Sequence, residues 1–405
     1  MSTTEAKSTG PLQGIRVLDF SAMIAGPYCT RLLADSGAEV IKIEPPEGDY
    51  MRGREPVRNG FSAYYGILNC GKQSLCLDLK KPEARELVYD LAKQCDVLVE
   101  NFRPGVMQRL GFDPATLHEK NPRLVYCSIS GYGQKGAASQ RPAYAPIVHA
   151  ASGYELANLR YQDNPQQPLK SAMFIADYMT GVHAFGAVNA ALVRRARTGQ
   201  GETIDCALMD SMIGMLAYEC AAAQFPVRRP RPIFRPTQAL DGFVILAPIS
   251  PANFADLARA IGRPEWLTDP RFITSEARAE NWDALMGELD RWAADKTAAE
   301  CESLMERGGV PCSRYYTVGE AMALPYAKDR GLLATTRDGA GEVKVPNAPF
   351  HMHNARVGAR DFVAALGEHN ESVLRECLGL SRDAIEELTT RGILHGAPGE
   401  AKVGR

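Results

Sequence analysis

Apolar and polar positions alternate from the start of the chain. Residues 14–21, GIRVLDFS, carry an alternation that predicts a strand. Residues 26–38, GPYCTRLLADSGA, follow it. Pro27 near the start and Gly37 at the end punctuate a helix of about three turns. Residues 39–46, EVIKIEPP, predict the next strand, closed by two prolines. A strand, helix and strand in this order need a parallel pairing and a right-handed crossover. The pattern then recurs. Strands are predicted at 74–79, 96–102 and 123–133, with helices at 81–95, 105–112 and 114–121 between them. This is the start of a doubly wound α/β domain.

The middle of the chain reads as helical over 178–197 and again over 206–224. Residues 225–242, rich in proline and arginine, predict a linker. From 243 to 322 a strand-like FVILAPIS precedes several short helices, which predicts a smaller α+β domain. Two helices close the chain. The lead, residues 1–10, is polar and predicts disorder.

Composition narrows the function classes. The 405 residues are 45% hydrophobic and 23% charged, ordinary for a globular chain with a sizeable core. A net charge of −2 gives no reason to expect nucleic acid or an anionic membrane as partner. No window reaches the length of a membrane-spanning helix, and the N-terminus lacks a hydrophobic signal core. The 10 cysteines are scattered singly, with no CxxC pair. They read as reduced thiols of a cytoplasmic protein rather than a disulfide or zinc framework.

Several motifs carry candidate chemistry. GYGQKG, with Gly131 and Gly133, matches a dinucleotide fingerprint on paper. The prolines in the following AASQRPAYAP spoil the helix that the fingerprint requires, so a tight loop near a ligand is the better reading. HMH at 351–353 is predicted to place two imidazoles on one side of a strand, with nothing nearby to complete a metal set. No GxSxG elbow is present. His149 and His183 lie in apolar stretches and read as satisfied core histidines. Asp177, in IADYMTG, stands ahead of a long alanine-rich run. It reads as a helix N-cap or as a nucleophile. Its flanks are apolar or small and no lysine or arginine lies within six positions, so the carboxylate is expected to be desolvated and unpaired, as at working sites.

Taken in order, these stretches resemble the class III coenzyme A transferases, the CaiB/BaiF family. The likeness rests on LQGIRVLDFSAMIAGPYCTRLLADSGAEVIKIEPPEGDYMR, LDLKKPEARELVYDLAKQCDVLVENFRPGVMQRLG, SISGYGQKG, RPAYAPIVHAASG, ADYMTGVHAFGAVNAALVRRARTGQGETIDCALMDS and ALGEHNESVLRECLGLS, from about residue 12 to 395. The resemblance implies a Rossmann-like large domain built from both chain ends (11–224 and 323–405), a small domain, and two chains interlocked as a dimer, either a homodimer or a heteromer with a paralogue. It implies that Asp177 attacks an acyl-CoA thioester to give a mixed anhydride and CoA thiolate. An enzyme-bound thioester then passes CoA to an acceptor acid. The coenzyme A thioester is a substrate, and no tightly bound cofactor is implied. By position, Leu77, Lys80, Asn101, Phe102 and Arg109 match coenzyme contacts, and Tyr144 matches a tyrosine near the reacting thioester.

The chain departs from the family in places. Ile24 stands where oxalate-acting members carry glutamine, a glycine-rich loop of those members is missing, and Ala145 replaces a common acid. Oxalate and formate are thereby disfavoured, and succinyl-CoA or another dicarboxyl-CoA is the expected donor. Arg228, Arg229, Arg231 and Arg235 are candidates to hold a second carboxylate of a dicarboxylic acid. Two alternatives share the fold. One is a 2-methylacyl-CoA racemase, whose histidine position corresponds to Tyr144; the other is an inactive partner of a heteromeric transferase.

Overall fold

The computed structural model describes residues 9–162, 166–168, 170–227, 233–248 and 250–396. Most of the predicted disordered lead lies outside the described residues. Two compact units are present: Met1–Cys220 with Lys328–Arg405, and Ala221–Ala327.

The first unit is built on one sheet of six strands: β1 (Arg16–Asp19), β2 (Glu39–Glu44), β3 (Lys72–Cys76), β4 (Val97–Glu100), β5 (Val125–Ser130) and β6 (Glu202–Ala207). Their spatial order is β3-β2-β1-β4-β5-β6 and every pairing is parallel. The direction of winding reverses between β1 and β4. A sheet wound both ways opens a crevice at such a reversal, beyond the carboxyl ends of its strands.

The inner strands are apolar on both faces because both are covered. Leu18, Ile41, Leu75, Leu98 and Tyr126 face one core. Val17, Val40, Val97, Val99 and Cys127 face the other. Four helices position the site: α1 (Ala25–Asp35), α2 (Pro82–Ala92), α3 (Ala145–Ala151) and α4 (Ile175–Thr198). Helices α1, α3 and α4 cover the second face. Helix α2 covers the first, together with C-terminal residues Val373, Leu374, Cys377 and Ile385. Leu394 also bridges antiparallel to Leu77 beyond β3. The unit therefore takes its core from both ends of the chain.

Three expectations need correction. The stretch predicted as helix over 206–224 begins with the tail of strand β6, followed by short helices Leu208–Met215 and Ala217–Gln224. Ile204 and Cys206 point to the core while Thr203 and Asp205 do not, so the two-residue period is present, but it is too short to stand out beside ALMDSMIGML. HMH lies in an exposed irregular segment, not on a strand. His183 is exposed on α4, bonded through Nδ1 to Ser211 Oγ at 2.9 Å, rather than in the core.

At the end of β1 the sheet buries a network of charges. Asp19 Oδ2 accepts from Thr30 Oγ1 at 2.7 Å and pairs with Lys72 Nζ at 3.0 Å. Asp19 Oδ1 accepts from the Ser21 backbone N–H at 2.9 Å and from the Ser21 hydroxyl. Lys72 Nζ also donates to Asn69 Oδ1 at 2.8 Å and to the Pro27 carbonyl at 2.9 Å. Burial pushes the Asp19 carboxyl up, but Lys72, Lys42, Ser21 and Thr30 outweigh it and hold it down at about 2. Removing one member of such a pair leaves the other charge stranded. Lys72→Met is expected to destabilise the protein by about 3–5 kcal/mol in urea unfolding, with Asp19→Asn added to it recovering part of the loss.

Candidate active site

The crevice at the reversal is framed by the segment after β1, Phe20 to Ile24, which the side chains of Asn101 and Lys42 clamp. Asn101, just past β4, reaches Ala22 with both ends of its amide: Oδ1 accepts the Ala22 N–H at 2.8 Å and Nδ2 donates to the Ala22 carbonyl at 2.7 Å. Lys42 donates to the Ser21 carbonyl at 2.6 Å and pairs with Asp49 Oδ2 at 3.0 Å. Held this way, Met23 adopts a φ of +67°. For a side chain other than glycine that conformation costs roughly 1–2 kcal/mol, and it persists because the neighbours over-determine it.

Against this segment lies a cavity of about 290 Å³. Its walls come from the carboxyl ends of four strands. Phe20–Ala22 follow β1, Lys42–Tyr50 end and follow β2, Leu77–Lys80 follow β3 and Phe102 follows β4. Of the residues predicted to contact the coenzyme, Leu77, Lys80 and Phe102 line this cavity. Leu77 is fully buried, whereas Lys80 is exposed. Arg109 is exposed on the short helix Val106–Leu110, whose last residue lines the same cavity. Asn101 is engaged with Ala22, so its first task is to shape the rim.

Gly131 and Gly133 follow β5. A Cβ on Gly131 would stand 2.3 Å from the Ala143 Cβ, so only glycine lets these backbones approach. Gly133 has a φ of +83°, and the next residue, Gln134, donates its N–H to Asp205 at 2.8 Å. Tyr144, one residue past Ala143, is the N-cap of α3 and is 64% exposed. The glycine loop and Tyr144 are thus neighbours, as a shared site needs.

Helix α4 lies along α1. A Cβ on Gly181 would come within 2.7 Å of the Ala25 carbonyl, and the Tyr178 and Tyr28 rings meet edge-on at 5.0 Å. Asp177 stands one turn before Gly181. It is not the N-cap: Phe174 is, and it offers no side-chain acceptor. Asp177 is the third residue of the helix, where the macrodipole favours negative charge. Among the described residues its carboxyl has no hydrogen bond or ion pair. Burial alone pushes it up to about 6.

A family model described as CoA-transferase family III matches residues 12–370. The chain belongs to this family. It is 36% identical to the acetyl-CoA:oxalate CoA-transferase of Acetobacter aceti, over 86% of this chain and 90% of that protein. It is 35% identical to the succinyl-CoA–D-citramalate CoA-transferase of Chloroflexus aurantiacus, over 95% of this chain and 98% of the relative. A crystal structure of a CaiB/BaiF family protein from Brucella suis superposes with a TM-score of 0.80 at 31% identity, covering 92% of this chain and all of that one (100%). The protein is a CoA-transferase of the α/β class, on a parallel six-stranded sheet.

Two groups in this transferase escaped sequence reasoning. Glu100 ends β4 almost fully buried, and its Oε2 accepts the Phe102 N–H at 2.9 Å. Burial pushes its carboxyl up to about 7 against the Ser128 hydroxyl and that N–H. Its only signal was an acid closing an apolar strand, VLVENF. His149, on α3, is 2% exposed and its Nε2 accepts the Ala176 N–H at 3.1 Å, one residue before Asp177. In sequence it looked like any core histidine.

The raised Asp177 carboxyl has a consequence for stability. Between its ordinary 3.8 and about 6 the native state binds more protons than the unfolded one, so stability falls as pH rises through that window. Asp177→Asn removes the cost. Urea unfolding is expected to show a gain on the order of 1–3 kcal/mol at pH 7.5, shrinking to about a third of that at pH 4.5.

Proposed function

We propose that this protein moves coenzyme A from a dicarboxyl-CoA donor, succinyl-CoA in the first instance, to a dicarboxylic acid acceptor by covalent catalysis at Asp177. The observation that carries the reading is a carboxyl with no partner, raised only by burial, in the first turn of a helix whose N-cap supplies no side chain. A carboxylate is a weak nucleophile when hydrated, and a partly dry site strengthens it.

An Asp177 oxygen attacks the thioester carbonyl carbon, the C–S bond breaks, and CoA leaves as thiolate. The thiolate attacks the aspartyl carbonyl of the resulting anhydride and releases the donor acid as carboxylate. The acceptor carboxylate attacks this enzyme thioester, expelling the thiolate and forming a second anhydride. The thiolate then takes the acceptor's acyl carbon, and Asp177 leaves as carboxylate. No net proton moves, so the site needs orientation and a dry environment more than an acid–base pair. The first turn of α4, apart from the Ala176 N–H that His149 takes, offers backbone N–H groups and partial positive charge to the oxyanions of these steps.

The coenzyme reading of the cavity is supported by its position at the reversal, with Leu77, Lys80 and Phe102 in its walls and Arg109 beside it. Gly131, Gly133 and Tyr144 are assigned to the acyl end. The dicarboxylate preference is supported by the relatives named for oxalate and D-citramalate. Ile24 keeps oxalate the less favoured of the two. The arginine cluster lends it no weight: Arg228, Arg229 and Arg231 lie outside the described residues, and Arg235 pairs with Asp290 at 2.7 Å. Racemase chemistry gains no support either, because Tyr144 stands at the histidine position and the Nε2 of His149 is engaged with a backbone N–H.

An interlocked homodimer is supported by exposed apolar side chains on α3 and α4 and the helix after β6, among them Ile147, Val182, Val193 and Ile213. A cytoplasmic setting is supported by ten free cysteines.

Intact-protein mass after succinyl-CoA and a hydroxylamine or borohydride quench tests the mechanism. A modified Asp177 peptide is expected in the wild type and not in Asp177→Ala. An adduct that survives in Asp177→Ala would remove the nucleophile from this position. Since the carboxylate is the reactive form, kcat/KM is expected to fall about tenfold per pH unit below about pH 6.

A further inference from the structure

We infer that His149 is a positioning residue that caps helix α4 from outside and thereby sets the attitude of Asp177. The inference rests on reading Asp177 as the nucleophile.

A helix leaves its first N–H groups without partners, and an N-cap side chain ordinarily accepts from the second or third of them. Phe174 has no oxygen to offer. The second N–H of α4 belongs to Ala176, and His149 Nε2 accepts it at 3.1 Å from another helix, α3. Ala176 is fully buried, so water does not replace that acceptor. The carbonyl of Ala176 is fixed as well, since Thr180 Oγ1 donates to it at 2.7 Å. Both backbone groups of the residue before Asp177 are therefore held by named side chains.

The bond dictates the state of the imidazole. A backbone N–H only donates, so Nε2 carries no proton and Nδ1 carries the single one. Glu155 Oε1 lies 3.8 Å from that Nδ1, which suits the same tautomer. The ring also packs against Tyr154, centroids 5.6 Å apart. With Nε2 engaged and the side chain buried, His149 does not reach a substrate. It acts through Asp177.

The geometry joins two parts of the site. Tyr144 is the N-cap of α3, His149 sits in its last turn, and the bond to Ala176 ends one residue from Asp177. Tyr144 and Asp177 are thus tied through one short helix and one hydrogen bond. A loss of this tie lets the first turn of α4 shift, and misplacement of a reacting group by about 1 Å is enough to cost on the order of 100-fold in rate.

Glutamine and phenylalanine separate this role from mere filling. Glutamine carries an acceptor oxygen; phenylalanine fills the volume without one. Single-turnover acylation by succinyl-CoA is to be followed by quenched intact mass in wild type, Asp177→Ala, His149→Gln and His149→Phe. His149→Phe is expected to acylate about 10–100-fold more slowly with the half-saturating concentration little changed, and His149→Gln to stay within about threefold of wild type. Nitrogen-15-labelled histidine in the wild type is expected to show one neutral ring with Nδ1 protonated that disappears in His149→Gln. Equal rates for all three acylating proteins, equal slowing in Gln and Phe, an effect confined to half-saturation, or an Nε2-protonated ring would each overturn the role. A wild type that never acylates overturns the nucleophile and this role with it. The ring's tautomer then still reports whether the cap itself is real.

Discussion

The structure depends on a set of buried charges at the carboxyl end of β1. Asp19, Lys72 and Lys42 lie in the interior, where an isolated charge is far more costly than in water. They persist because each is paired and hydrogen-bonded. Asp19 takes four donors, Lys72 gives to three acceptors, and Lys42 bridges Ser21 and Asp49. The result is a rigid corner where the chain leaves the sheet. Asn101, crossing the reversal from β4, completes it by holding Ala22. Only then can Met23 sit at a positive φ and α1 begin two residues later.

The same chain contains an aspartate in the opposite condition. Asp19 is held down at about 2, and Asp177 is pushed up to about 6. Both are removed from bulk water; they differ in partners. Saturation makes Asp19 an anchor that no substrate carbon will find nucleophilic. Isolation leaves the lone pairs of Asp177 free. Carboxyl groups driven apart by their surroundings in this way are how one set of side chains takes on separate roles.

These conditions meet where α4 lies against α1. Gly181 admits the Ala25 carbonyl, and Ala25 precedes Gly26, whose place for a Cβ is filled by Ser21 and Asn101. Two glycines thus let the helix that carries Asp177 approach the corner organised by Asp19. The cavity walls, the clamp and the turn that carries Asp177 are parts of one packing arrangement, which is what the covalent transfer proposed above requires.

Much of this was legible in the sequence. The β1-α1-β2 opening and the parallel sheet followed from periodicity, because buried strands are short apolar runs and α2 shows its amphipathic face. Asp177 stood out because its flanks carry neither opposite charge nor polar cover, and that is a local property. The family was readable from ordered motifs across the chain. Strand β6 was missed, since an edge strand of six residues whose alternation turns Ile204 and Cys206 inward looks like the start of the apolar helix after it. The N-cap read at Asp177 lies three residues earlier, at Phe174, because a helix extends as far as its backbone groups find partners, and the partner of Ala176 comes from His149, 27 residues upstream. Asn101 read as a coenzyme contact, and Lys42 as one more position of a strand, until the fold brought Ala22 and Ser21 to them. Sequence by itself determined which segments are apolar and which acid lacks company, and hence the fold class and the candidate for nucleophile. Tertiary structure alone decided which polar groups saturate one another, because hydrogen bonds depend on distances of about 3 Å that no spacing along the chain records.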